Sequence, residues 1–231
     1  LPLAPAQPAG LLAALARRER FDDLHVLCAL LQERFALLEH PGVRVTSQFF
    51  GHVERDLVRD GVAIDHLTSD FHGLELIARR TRPRVVATTV SPPDEDGFLS
   101  FGVHAGATII PFLEAARDPE RVAIAEVNAR MPRTRGLPEL GGHRVHCSDV
   151  DAIVEHDAEL FELSGKFRGD ADARIAEHAS ELVRDGATLQ FGIGGIPNAI
   201  ARILADGPRG GFGIHTEMLV DGVKLLHDAR K

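Results

Sequence analysis

Basic residues are in deficit: 26 Lys and Arg face 34 Asp and Glu, a net charge of −8 over 231 residues. That balance excludes nucleic acid as the main partner, because phosphate binding needs a basic surface. Long apolar runs are also missing. None approaches the ~18–20 residues that span a bilayer, so no membrane helix is expected. Cysteine is scarce. Cys28 and Cys147 lie in apolar-flanked stretches (HVLCALL and RVHCSDV) and read as buried reduced thiols of a cytoplasmic protein, not as a disulfide. Histidine is plentiful but unpaired for metal. His25, His52, His66, His72 and His104 are scattered, and His143 and His146 sit where a Gly-Gly turn leads into an apparent strand. No zinc or other metal site is expected. The opening LPLAPAQPAGLLAALARRERF has no charged leader and reads as structure, not as a signal peptide.

What remains is an ordinary globular composition, 44% apolar and 26% charged, on a chain long enough for one large domain or two. Helical and extended patterns alternate. Pro8–Arg18 carries Leu11, Leu12 and Leu15 on one stripe, Leu24–Leu30 is a strand candidate, and LLQERFALLEH suggests a helix that the strand could run into. Val43–Phe50 is extended, Val53–Asp60 helical, Ala63–Leu67 a short strand and Gly73–Arg80 a helix. Val85–Val90 and Arg121–Val127 are nearly continuous apolar strands of the buried parallel type. This rhythm means α/β with a mainly parallel sheet. Around Glu155–Asp172 the sequence turns polar and acidic. We therefore expect a first domain over 1–160, a linker over 161–172 and a second domain opening at 173. The second offers a helix at Asp172–Arg184, two convincing strands and a last helix at Asp221–Ala229. So few strands would leave an unpaired edge and a thin core, and we expect that domain to be incomplete in this chain.

The most informative stretch is Gly186–Leu226. Thr188–Phe191 is a short apolar strand broken by Gly192, Gly194 and Gly195, and Pro197 stands where a helix can begin. Phe212–His215 is the next strand, and Thr216-Glu217-Met218 lies at its carboxyl end. In an open α/β sheet ligands gather at the carboxyl ends of strands and at helix N-termini. The glycine turn could present N–H groups to an anion or oxyanion, could be a G-x-G-x-x-G variant with Pro197 in the third place, or could be only a tight connection. Glu217, between Thr216 and the apolar Met218-Leu219, suggests a confined carboxylate: a nucleophile toward an activated acyl carbon, or a ribose ligand. After Val85–Val90, the segment Ser91–Gly102 encodes a turn into a short returning strand, and its Asp94, Glu95 and Asp96 read as turn chemistry in preference to a metal cluster. Arg130, Arg133 and Arg135 follow another strand end, to meet a ligand phosphate or to balance an acidic surface.

Four of these segments together resemble the acetyl-CoA hydrolase/transferase family, which includes class I CoA-transferases of the 4-hydroxybutyrate/acetate and acetate/succinate types. They are LQFGIGGIPNAI (189–200), GIHTEMLVDGV (213–223), VSPPDEDGFLSFG (90–102) and AEVNARMPRTRG (125–136), in matching order across nearly the whole chain. The resemblance implies two similar α/β domains with the active site between them, and a ping-pong reaction through a glutamyl-CoA thioester. It places the catalytic glutamate on Glu217 and acyl-CoA contacts on Gln190, Gly192 and Gly194. Acyl-CoA and a small carboxylate would be the partners of a cytoplasmic homodimer, with coenzyme A as substrate and no other cofactor. Water reaching either covalent intermediate would make the same site an acyl-CoA hydrolase. The family extends on both sides of the residues matched here, and Ala4-Pro5-Ala6-Gln7-Pro8 has no glycine where related transferases have a Gly-rich oxyanion loop. Two other readings stay open from the residues: a nucleotide-binding oxidoreductase with Glu217 on a ribose, and a non-catalytic CoA- or anion-binding module.

Overall fold

The computed structural model describes residues 6–70, 73–137, 139, 142–162 and 169–231. Contacts divide the chain into two compact units, Leu1–Phe161 and Glu162–Lys231.

The first unit opens with α1 (Ala9–Ala16), β1 (Leu24–Cys28), β2 (Val43–Ser47), α2 (His52–Arg59) and β3 (Ile64–His66). The three strands form a parallel sheet in the order β1-β2-β3, with Val26 opposite Val45 and Val45 opposite Ile64. Next come α3 (Gly73–Thr81), β4 (Val85–Val90), β5 (Phe98–Ser100), α4 (Ile109–Ala116), β6 (Val122–Val127), β7 (Arg144–His146) and β8 (Ala152–Glu155). Here β4, β6 and β8 make a second parallel sheet, and β5 pairs antiparallel with β7. The α/β class with mainly parallel sheets is thus the fold observed.

Residue chemistry accounts for these elements. β4 reads VVATTV, β-branched at all positions but one, and Val86 to Val90 are buried. β6 alternates small Ala123 and Ala125, both fully buried, which leaves room for Phe112 of α4 to pack among them. Phe112 meets Phe101 edge to face, ring centroids 5.5 Å apart, in a core shared with Val90, Leu99 and Val145. A separate core gathers Leu12 of α1, Val26, Val45 and Leu57 of α2. Each such buried side chain contributes about 1.5–3 kcal/mol.

Two expectations need correction. The stretch LLQERFALLEH is not an α-helix; it holds only a 3₁₀ turn at Ala36–Glu39. Leu30 adopts a left-handed conformation (φ 48°), which stops the strand at Cys28 and prevents a helix from starting there. The Leu31 N–H is then taken by a distant carboxylate, Glu54, in place of a helical carbonyl. The second correction is β8, a strand the sequence did not suggest. It pairs with β6 on one side only, and its Ile153 and Val154 are 44% and 39% exposed, so it lacks the buried-strand pattern.

The second unit contains α5 (Asp170–Glu181), β9 (Thr188–Leu189), α6 (Gly195–Asp206), β10 (Gly213–Ile214) and α7 (Asp221–Asp228). α5 starts at Asp170, inside the stretch expected as linker, with Asp170 and Asp172 in its first turn facing the positive end of the helix dipole. Of that expected linker, residues 163–168 lie outside the described residues, as do Ala4, Pro5 and His72. β9 and β10 are parallel neighbours, with Gly213 opposite Thr188 and Ile214 opposite Leu189. Phe191, Ala201, Leu204 and Leu226 form the core. α6 and α7 approach closely at Gly222, where a Cβ would stand 2.8 Å from that of Ala201.

Cys28 is buried and Cys147 half-buried, and neither is in a disulfide. Burial pushes the Cys28 thiol up to about 11, so it stays protonated near neutral pH. Among the described residues no helix is long and apolar enough to cross a membrane.

Candidate functional site

In the second unit β9 and β10 run the same way, so the connections leaving the two strands emerge at one edge. Gln190 and Phe191 follow β9, Gly192 to Gly194 make the turn, and α6 begins at Gly195. Its first turn includes Pro197, whose missing N–H costs nothing there. After β10 come His215, Thr216 and Glu217. Thr216 ties the two connections together. Its Oγ1 accepts the Phe191 N–H at 3.0 Å and lies 3.0 Å from the Phe191 carbonyl and 3.1 Å from that of Met218, donating to one of them. Phe191 is itself anchored in the core, 5% exposed. The start of the glycine turn and the residue next to Glu217 are thereby held by hydrogen bonds.

Gln190, Gly192, Gly194 and Glu217 are all exposed on this unit. The sequence suggested a confined carboxylate at Glu217, and within this unit that is not so. The chain leaves β10 in an open bend, and Met218 and Leu219, at 39% and 83% exposure, do not close over the acid. The two glycines differ in what they require. A Cβ at Gly192 would meet nothing within 4 Å, whereas Gly194 caps α6 at φ 129°, a conformation side chains rarely adopt. Gly192→Ala should therefore leave the thermal midpoint within about 1 °C of the parent, and Gly194→Ala should cost about 1–3 kcal/mol, both read by thermal denaturation. Equal destabilisation would show that Gly192 is held by contacts within the chain.

The first unit has its own edge of strand ends. Gln32 after β1, Thr89 in β4 and Asn128 after β6 line one small cleft together with Gln7, so the carboxyl ends of β1, β4 and β6 lie together. Two fully buried acids brace this edge, and sequence reasoning missed both. Glu126, 2% exposed, accepts the N–H groups of Gly10 (3.1 Å) and Leu11 (2.7 Å) at the start of α1. Glu54, 0% exposed, accepts from the Leu31 N–H (2.9 Å) and the Gly51 N–H (3.0 Å), and the Ser47 hydroxyl lies 3.1 Å from it and 2.8 Å from the Phe49 carbonyl, donating to one of them. A single acid inside the apolar run RVAIAEV, and a glutamate three residues after Gly51 at a helix start, were the available signals.

The loop after β4 is built by its acids. Asp94 accepts the Phe98 N–H at 2.8 Å, and that bond, then the Arg133 guanidinium, holds its carboxyl below the usual range. Arg133 also donates to the Phe98 carbonyl, and Arg130 pairs with Glu159. For these two arginines charge balance and loop bracing describe the structure.

No family model matches the chain. Similar proteins nevertheless define its class. The chain is 38% identical over 185 residues to a 4-hydroxybutyrate coenzyme A transferase of Clostridium kluyveri, spanning 79% of this chain and 40% of that protein. It is 33% identical over 229 residues to a succinyl-CoA:cyclohexane-1-carboxylate CoA transferase of Geobacter metallireducens, spanning 96% and 49%. The crystal structure of RipA from Yersinia pestis superposes with a TM-score of 0.83 at 30% identity, covering 99% of this chain and 54% of the other. The chain thus spans about half the length of these relatives. In sequence and fold it is similar to proteins named CoA transferases, the resemblance that its four motifs carry.

Proposed function

We propose that a protein containing this chain transfers CoA between an acyl-CoA and a small carboxylate through a glutamyl-CoA thioester on Glu217. The observation that carries this reading is the Thr216 clip. It holds the chain on either side of Glu217, an exposed carboxylate at the strand edge where a glycine turn opens a twelve-residue helix. Relatives named as CoA transferases support the same reading. A carboxylate oxygen of Glu217 attacks the thioester carbonyl carbon, the C–S bond breaks, and CoA thiolate leaves an acyl-glutamyl anhydride. The thiolate then attacks the glutamyl carbonyl carbon, expelling the first acyl group as its carboxylate. An incoming carboxylate reverses both steps, and Glu217 is regenerated. Backbone N–H groups at the Gly192–Gly195 turn and the helix N-terminus favour the oxyanion formed at each attack.

Coenzyme A enters as substrate and no further cofactor takes part. Gln190, Gly192 and Gly194 contact the acyl-CoA; the open space around Gly192 leaves room for a ligand. The protein works as a cytoplasmic homodimer, a compartment that suits its two free thiols.

Peptide mass spectrometry after incubation with acetyl-, butyryl- or succinyl-CoA tests this, on the chain extended to the length of its relatives. A CoA thioester on the Glu217 peptide, cleaved by hydroxylamine and absent from Glu217→Ala, is the expected result. Turnover without such an adduct would sink Glu217 as nucleophile. Free CoA released with no acceptor present would identify hydrolysis as the outcome of the same intermediate.

A further inference from the structure

In the second unit α6 and α7 touch at Gly222, and polar groups left unmet gather there. Asn198 and Ala201 are three apart on α6, so they share one face of that helix. A Cβ at Gly222, the second residue of α7, would stand 2.8 Å from the Ala201 Cβ, 3.5 Å from Asn198 Oδ1 and 3.7 Å from Phe191 Cε1. Asn198 Oδ1 is shut off from water and has no hydrogen-bond partner among the described residues. The start of α7 is short of acceptors. No side chain caps it, the Val223 N–H goes to the Val220 carbonyl at 2.9 Å, and the Asp221 and Gly222 N–H groups have no partner among the described residues.

We propose that Asn198 is a positioning residue for Glu217. With acyl-CoA bound, its Oδ1 accepts an N–H from the first turn of α7 and fixes the far end of the segment 217–220. The proposal rests on the reading of Glu217 as the nucleophile.

Four residues, Glu217 to Val220, join the Thr216 clip to α7. The Thr216 bonds hold the near end, to the Phe191 N–H and beside the Met218 carbonyl. The far end rests on packing at Gly222, and the bend between is open, with Leu219 83% exposed. A nucleophile in such a span samples many positions, and misplacement by about 1 Å costs roughly 10²-fold in rate. A second tie removes that freedom.

The unmet groups match. A buried acceptor without a donor disfavours the arrangement that contains it, as do N–H groups without acceptors at a helix start. One bond from Asp221 or Gly222 to Asn198 Oδ1 meets both needs. Any side chain at Gly222 would hold the two helices apart and prevent it. The positive end of α7 calls for the oxygen of the amide, not for its Nδ2 donors. Ligand bears on this bond through α6, because the glycine turn runs directly into the helical turn that carries Asn198.

Two readouts test this in the chain extended to the length of its relatives. The first uses dethia-acetyl-CoA, in which a CH₂ that cannot leave replaces the sulfur. It should slow amide exchange at Asp221 or Gly222 about tenfold or more in the parent and in Asn198→Asp, which keeps the acceptor. In Asn198→Ala exchange should stay within about twofold of the unliganded rate. Equal slowing in Asn198→Ala, or none in a parent saturated with the analogue, would overturn the proposal. The second readout is kinetic. Asn198→Ala should lower kcat about tenfold to a hundredfold with KM for acetyl-CoA within about threefold, and Asn198→Asp should keep kcat within about threefold of the parent. A rise in KM alone, or an equal loss of kcat in both variants, would also overturn it. Turnover by the parent without a Glu217 adduct would remove the nucleophile and the positioning role together. An adduct in a parent whose exchange the analogue leaves unchanged would remove Asn198 alone.

Discussion

Glu217→Gln is expected to lower kcat/KM for CoA transfer by roughly 10³-fold or more, the scale of losing a group that forms the covalent intermediate. A carboxamide is isosteric with the carboxylate but has no anionic oxygen to attack a thioester, so neither the anhydride nor the glutamyl-CoA can form. The side chain is exposed on its unit and Thr216, not Glu217, makes the bonds that hold the strand end. The variant should therefore melt with the parent and keep its circular dichroism spectrum. Acyl-CoA:carboxylate exchange, assayed in the chain extended to the length of its relatives, provides the measurement. Activity within tenfold of the parent would remove Glu217 from the reaction, and a matching loss of thermal stability would recast it as structural.

The largest stability effect is expected at Glu54. Its carboxylate is fully buried and accepts backbone N–H groups from two different segments, Leu31 after β1 and Gly51 before α2, with the Ser47 hydroxyl of β2 at 3.1 Å. Glu54→Ala leaves two backbone N–H groups without that acceptor, at about 1–3 kcal/mol for each one left buried and unmet, while the Ser47 hydroxyl keeps the Phe49 carbonyl. Relaxation recovers part of this, so about 3 kcal/mol is expected, or a fall in melting temperature of roughly 6–12 °C. Glu54→Gln keeps one acceptor oxygen and should lose less. Thermal denaturation of both variants decides it; a fall below about 2 °C in Glu54→Ala would mean that the Leu30 kink is held by packing alone.

Much of this architecture was legible because its signals are local. The apolar run at Val85–Val90 became a strand of those residues, and Gly73–Arg80 a helix extended by one residue, since period and propensity act within a few positions. The glycine turn and Glu217 could be set at one edge because their strands are neighbours in sequence and parallel. LLQERFALLEH misled for the opposite reason: its helical pattern is overridden by a carboxylate 23 residues away. Glu126 could not be assigned a partner beforehand, as the amides it accepts from lie 115 and 116 residues earlier. The Thr216 bonds depend on the register of two strands whose bonded residues are 25 apart, and no composition reveals that. Within its own unit Glu217 is exposed, because apolar neighbours in sequence do not guarantee a cover in space.

Helices α1 and α6 are unlike in one respect. At α1 the chain brings its own negative charge, Glu126, to the first amides; at α6 no side chain caps the start. The positive end of one helix is therefore spent inside the protein, and a phosphate or carboxylate arriving from solution would have to displace a built-in rival to use it. At α6 no such rival stands. The two ends thus differ before any ligand is present: the first amides of α1 are already met by a carboxylate, and those of α6 have no side-chain cap.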